Sequence, residues 1–135
     1  MGSTIRMNEY VVDTVALILR LESRQMGSQA RQTFVDVEQN EARLHVPTIV
    51  FAEILYLAER KRITTTLSAV QAYFSHFTNC VEAPLTLAIM MTAQQITDIP
   101  ELHDRLIAAT ALHLKLPLLT NDPKIAASSY IKTLW

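Results

Sequence analysis

The stretch from His103 to Lys115 is apolar almost all the way round when wound into a helix, with Leu106, Ile107, Ala108, Ala109, Ala111, Leu112 and Leu114 spread over its faces. Such a helix has no side to offer to water and is buried. Around it the chain alternates runs of strand character with runs of helical character. Tyr10 to Asp13, Arg43 to Val46, Cys80 to Ala83, Leu118 to Thr120 and Ile131 to Trp135 read as short strands. Thr14 to Glu22, Gly27 to about Glu38, Pro47 to Arg60, a segment capped among Thr64, Thr65 and Thr66 and running to about Phe77, Thr86 to Ile96, and Pro123 to about Ser128 read as helices. Strands and helices in alternation predict an α/β fold, a three-layer α/β/α sandwich with a mostly parallel central sheet.

At 135 residues, 50% apolar and 19% charged, the chain fits one globular domain. That length buries roughly two thirds of the surface an unfolded chain exposes. The domain is expected over 8–135, after a flexible start at 1–7. The longest apolar runs are broken by Asp13, Arg20, Glu53 or His113, so none reaches the ~20 residues of a membrane helix. The lone Cys80 excludes an internal disulfide and predicts a buried thiol in a reducing, cytoplasmic setting.

Only Gly2 and Gly27 are glycines, which rules out a phosphate-cradling P-loop and a dinucleotide-binding fingerprint. A phosphatase of the haloacid-dehalogenase kind would need a second Asp where Val15 stands, and a receiver domain an acidic pair that is missing. What the chain does have is four well-separated acids, Asp13, Glu53, Asp104 and Asp122. In open parallel sheets the ligand crevice lies beyond the carboxyl ends of the strands. Asp13 ends the first predicted strand, Asp122 follows the fourth, and Asp104 opens the buried helix before it, so the three would converge there.

Helix capping competes with this reading, because Asp oxygens satisfy the unpaired N–H groups of a helix start. Asp122 followed by Pro123 fits a cap well. Glu53 does not: it lies mid-helix, with Ile49, Val50, Tyr56 and Leu57 three and four positions away. On an apolar stripe a carboxylate must be protonated, paired with a cation or bound to a metal. Carboxylates without His or Cys partners favour hard cations, so Mg²⁺ or Mn²⁺ is expected, as one or two ions. A metal held this way lowers the pKa of a bound water and stabilises charge on phosphoryl oxygens, which suits phosphodiester hydrolysis. Net charge is −1. Setting the four acids aside leaves a mildly cationic remainder, compatible with a phosphate substrate once a metal fills the acidic site.

These residues resemble those of PIN-domain nucleases, and more closely VapC-type toxins of toxin–antitoxin pairs, over about 8–135. The matching stretches are Tyr-Val-Val-Asp-Thr at 10–14, Val-Pro-Thr-Ile-Val-Phe-Ala-Glu-Ile at 46–54, and Ile-Pro-Glu-Leu-His-Asp-Arg-Leu-Ile-Ala-Ala-Thr-Ala at 99–111. Pro-Leu-Leu-Thr-Asn-Asp at 117–122 and the closing Ile-Lys-Thr-Leu-Trp complete the pattern. The resemblance implies that Asp13, Glu53, Asp104 and Asp122 form the metal site of an endoribonuclease, with Thr14 and Thr120 as supporting hydroxyls. It implies a cognate antitoxin that covers the site, an RNA substrate and a homodimer. Asn121 departs from the Arg often found before the last Asp. Arg60, Lys61 and Arg62, with His103 and Arg105 beside Asp104, are RNA contacts on this reading and solvated or hydrogen-bonded surface groups on the plainer one. His45, His76 and His113 carry no ligand spacing and are expected to be structural, and Met90 and Met91 with Ile89 to be core or a dimer face.

Two other readings stay open. The acids would cap helices and dock a basic partner in a non-catalytic module of the same fold. Alternatively, the site is retained but acts on another substrate, as in a flap-DNA nuclease, an RNA-processing enzyme or a metal-dependent phosphatase.

Overall fold

The computed structural model describes residues 7–135, so all of the predicted flexible start except Met7 lies outside the described residues. Five strands, β1 (Asn8–Val12), β2 (Ala42–Pro47), β3 (Cys80–Ala83), β4 (Leu118–Leu119) and β5 (Thr133–Leu134), form one sheet in the order β3-β2-β1-β4-β5. Every pairing is parallel, so the sheet is wholly rather than mostly so. Helices α1 (Thr14–Leu21), α2 (Ser28–Glu38), α3 (Thr48–Glu59), α4 (Leu67–His76), α5 (Leu87–Gln95), α6 (Leu102–Leu114) and α7 (Pro123–Ala126) fill the connections.

Side chains alternate between faces along a strand, yet consecutive residues are inaccessible in both central strands. Val11 and Val12 in β1, and Leu118 and Leu119 in β4, are each 0% exposed. Both faces of the sheet are therefore covered, as in the expected three-layer α/β/α sandwich. Six successive residues of α6, Leu106 to Ala111, are buried, which is the cover its all-round apolar sequence demands. Leu17, Phe34, Leu44 and Ile54 complete the centre of the core. Cys80 is a buried free thiol, and burial pushes it up to about 12. No described helix is long and apolar enough to cross a membrane.

The strand order decides where ligands go. From β1 the chain moves outward through β2 and β3, then returns to the other side of β1 as β4 and continues to β5. The direction reverses between β1 and β4, and a parallel sheet opens its crevice at such a switch point, beyond the carboxyl ends. Val12 is in register with Leu119, and the Asp13 amide donates to the Leu119 carbonyl at 3.2 Å, so the two strands leave the sheet side by side at that edge.

Candidate active site

Asp13 follows the last residue of β1 and is 6% exposed. One of its carboxylate oxygens accepts from the Ala16 amide at 2.8 Å, so it caps α1. Burial, reinforced by the charges of Asp122 and Glu53, pushes its pKa up to about 6. The Thr120 hydroxyl and the Ala16 amide oppose that rise by favouring the ionised form.

Asp122 begins the short α7 and caps it through a 2.8 Å bond from the Lys124 amide, with Pro123 in the first turn as the sequence predicts. Its own amide donates to the Thr120 hydroxyl at 3.1 Å. Thr120, 2% exposed, therefore stands between the two acids that leave β1 and β4.

Asp104 corrects the capping account. Glu101 caps α6, accepting from the Asp104 amide at 2.7 Å. Asp104 thus lies inside the first turn, where a carboxylate complements the helix dipole. Desolvation pushes it up to about 6, followed by the repulsion of Glu101, Asp122, Glu53 and Asp13. Glu101, three residues ahead of Asp104, was not anticipated as part of this region. Its signal was an acid placed one turn before an acid at a helix start.

Glu53 is less covered than an apolar stripe predicts. Its side of α3 is only partly covered: Val50 is buried, but Tyr56 is 50% exposed and Glu53 is half-buried. Helical periodicity locates a stripe but does not say whether another element lies over all of it. Its partner is neutral rather than cationic, since the Thr14 hydroxyl donates to Glu53 Oε1 at 2.6 Å. Thr14 is 6% exposed and follows Asp13 directly.

Asp13 and Asp104 therefore both feel the charges of Asp122 and Glu53. Asp13 is raised by Asp122 and Glu53, and Asp104 by Asp122, Glu53 and Asp13. Among the described residues, however, no three His, Cys, Asp or Glu side chains are drawn tightly enough to form a ready-made ion cage. Oxygens of Asp13, Glu53 and Asp122 are committed to Ala16, Thr14 and Lys124. The donor set nonetheless suits a hard divalent cation: carboxylate oxygens, and two acids whose ionisation is held back by burial and mutual repulsion. A cation would favour those ionised forms and would have to draw the side chains inward.

The other predicted contacts are spread around this centre. Arg60, Lys61 and Arg62 are exposed where α3 ends, with Lys61 in the left-handed conformation at φ 55°. His103 is exposed and lies 3.8 Å from Glu101. Arg105 is tied back to the Pro100 carbonyl by a 3.2 Å bond, and its buried Nε has no hydrogen-bond partner among the described residues. His45 bonds to Glu9 at 2.7 Å, and His76 stacks edge-on with Phe77. Met90 and Met91 are exposed, which removes them from the core, whereas Ile89 is buried. Two surface clefts, of about 320 and 340 Å³, lie beside Lys115, Tyr130 and Lys132 and beside Tyr10, Gln29 and Asp36, away from the acids. Asp13 and Asp122 instead follow the carboxyl ends of the interior strands β1 and β4.

A wholly parallel five-stranded sheet, with Asp13 and Asp122 leaving it at the switch point, defines an α/β protein with acidic side chains beyond the carboxyl ends of its strands. The PIN domain family model matches residues 10–128, and the chain belongs to that family. No curated protein matches by sequence. Among solved structures, the chain resembles DNA-bound VapBC from Salmonella typhimurium, with a TM-score of 0.69 at 16% identity, covering 95% of this chain and 98% of that one. VapBC2 from Rickettsia felis bound to a promoter DNA fragment gives 0.68 at 14%, covering 93% and 97%. The sarcin–ricin-loop-cleaving toxin VapC20 from Mycobacterium tuberculosis gives 0.64 at 15%, covering 91% and 97%. This is a PIN domain with the fold of VapC toxins.

Proposed function

We propose that the chain is a metal-dependent endoribonuclease that acts as the toxin of a type II toxin–antitoxin module in the cytoplasm. The observation that carries this reading is that burial holds both Asp13 and Asp104 back from ionising, with Asp122 and Glu53 adding repulsion to each, where β1 and β4 leave the sheet. Helix capping explains Asp13 and Asp122 singly. It does not explain why Glu53, mid-helix, and Asp104, inside a turn already capped by Glu101, stand in the same field.

Asp13, Asp104 and Asp122 would hold one or two Mg²⁺ or Mn²⁺ ions, with Glu53 acting directly or through water. The cation would supply an acidified water and neutralise charge on the phosphoryl oxygens during in-line displacement. The chain's own residues do the positioning. Thr14 holds the Glu53 carboxylate through its hydroxyl, and Thr120 accepts from the Asp122 amide while favouring the ionised form of Asp13. The Ala16 amide in α1 fixes the Asp13 carboxylate, and Asp104 rides in the first turn of α6, which Glu101 caps. Structural similarity to VapBC complexes supports a small antitoxin as partner, and the exposed Met90 and Met91 support a homodimer.

The test is a substrate panel of tRNA, rRNA fragments and flap DNA, with Mg²⁺ and then with EDTA. Cleavage of an RNA that EDTA abolishes is expected. Flap DNA as the preferred substrate would move the site to another PIN activity, and no cleavage of any substrate would favour the binding-module reading.

A further inference from the structure

The exposed face of α3 carries an arrangement that the acids do not use. Tyr56 is 50% exposed although it is aromatic and mid-helix, and the Arg60 guanidinium lies over its ring, 3.7 Å from the centroid. A contact of that kind holds a ring in place and sets a positive charge beside it. Residues three apart are neighbours on a helix surface, so Tyr56 sits next to Glu53 on the side toward Arg60. Lys61 and Arg62 continue the positive charge, and both are exposed. An ordered, half-open aromatic ring flanked by cations is what single-stranded nucleic acid uses: bases stack on the ring while the backbone follows the charges.

We propose that Tyr56, held by Arg60, is a base-stacking subsite that receives an unpaired RNA nucleotide one helical turn from Glu53. The assignment rests on the nuclease reading and adds to it the part of the protein that grips the substrate. Arg60 has a double role, fixing the ring and meeting a phosphate, while Lys61 and Arg62 supply sequence-independent attraction. Along a helix axis the rise is about 1.5 Å per residue, so Arg60 lies on the order of 10 Å beyond Glu53. That distance suits a nucleotide one or two positions from the scissile bond. A stacking site of this kind selects single-stranded loops over duplex, because only an unpaired base can be splayed onto the ring.

The experiment measures RNA affinity without turnover. A short single-stranded RNA carrying 2-aminopurine is titrated, in Mg²⁺, into protein bearing Asp13→Asn, alone and combined with Tyr56→Leu, Tyr56→Phe or Arg60→Gln. Stacking is expected to quench the 2-aminopurine signal. Tyr56→Leu should weaken binding about tenfold and remove the quench, consistent with the worth of one stacked base. Tyr56→Phe should retain both. Arg60→Gln should weaken binding and make it less salt-dependent. Circular dichroism and melting establish that each variant is folded, which a half-exposed position should tolerate. RNA binding with unchanged affinity and quench in Tyr56→Leu would overturn the subsite while leaving the nuclease reading intact. Unchanged RNA affinity together with lost binding of a co-expressed antitoxin would also overturn it and assign Tyr56 to the protein partner. Absence of RNA binding to every variant, with no cleavage by the wild-type chain, would overturn the subsite and the nuclease reading together.

Discussion

The Thr14 hydroxyl donates a 2.6 Å hydrogen bond to the Glu53 carboxylate, joining the first turn of α1 to the middle of α3. Thr14 is buried directly after Asp13, so this one bond ties the most buried site acid to the only one that sits mid-helix. Hydrogen bonds to charged groups are worth about 1.5–3 kcal/mol. Thr14→Val keeps the shape and removes the donor. RNA cleavage should fall by about tenfold or more, with a smaller loss of stability in urea denaturation. An unchanged rate would mean that Glu53 does not depend on Thr14 for its position.

Asp13 gives the protein a specific pH response. Its pKa is about 6 in the folded protein, against about 4 in an unfolded chain. The folded state therefore holds this proton to higher pH than the unfolded state does. The resulting stability is fully present below about pH 4 and is lost as pH rises through about 6. Asp13→Asn should remove the Asp13 share of that fall and leave the share of Asp104, which is also raised to about 6, with a gain relative to wild type on the order of 2 kcal/mol at about pH 8 in EDTA. Denaturant unfolding of both proteins across that range checks it; parallel curves would contradict it.

Divalent cation should act on the same carboxylates in the opposite sense. Binding only to the folded state stabilises it by about 2.7 kcal/mol at a hundredfold excess over Kd. Mn²⁺ or Mg²⁺ should raise the melting temperature of the wild-type chain by several degrees, an effect lost in Asp104→Asn. Equal shifts in the two proteins would place the cation elsewhere.

Gly27 is constrained by the end of the chain. A methyl group there would lie 2.4 Å from the Trp135 carbonyl carbon and 2.6 Å from its oxygen, where the Gln29 amide already bonds at 3.1 Å. Gly27→Ala forces α2 and the terminus apart and should cost about 1–3 kcal/mol, a typical cost of overpacking. Urea denaturation gives the value, and no change would mean that the terminus moves aside freely.

Much of the architecture was legible because local chemistry and global need agreed. Asp13 reads as the end of a strand and the cap of a helix, and it is both at once. Of the three candidate caps Thr64, Thr65 and Thr66, Thr66 caps α4, and Thr86 at the expected start of α5 caps that helix. The all-round apolar sequence of α6 required cover on every side and has it. The errors arose where the outcome depends on what lies across space. Asp104 and Glu101 both suit a helix start, and only the backbone shows that Glu101 makes the cap. Glu53 shares a stripe with Val50 and Tyr56, but burial differs along that stripe because no described element covers its outer part. The Thr14–Glu53 bond spans 39 residues, a distance over which no periodicity carries information.

The most direct test of the acidic site is the rate of RNA cleavage in Mg²⁺ by Asp13→Asn against the wild-type chain. The change removes one charge while leaving a side chain able to cap α1. A catalytic site predicts loss of cleavage by several orders of magnitude, with circular dichroism and the α-helical content unaltered. Cleavage at the wild-type rate in a folded Asp13→Asn protein would contradict it.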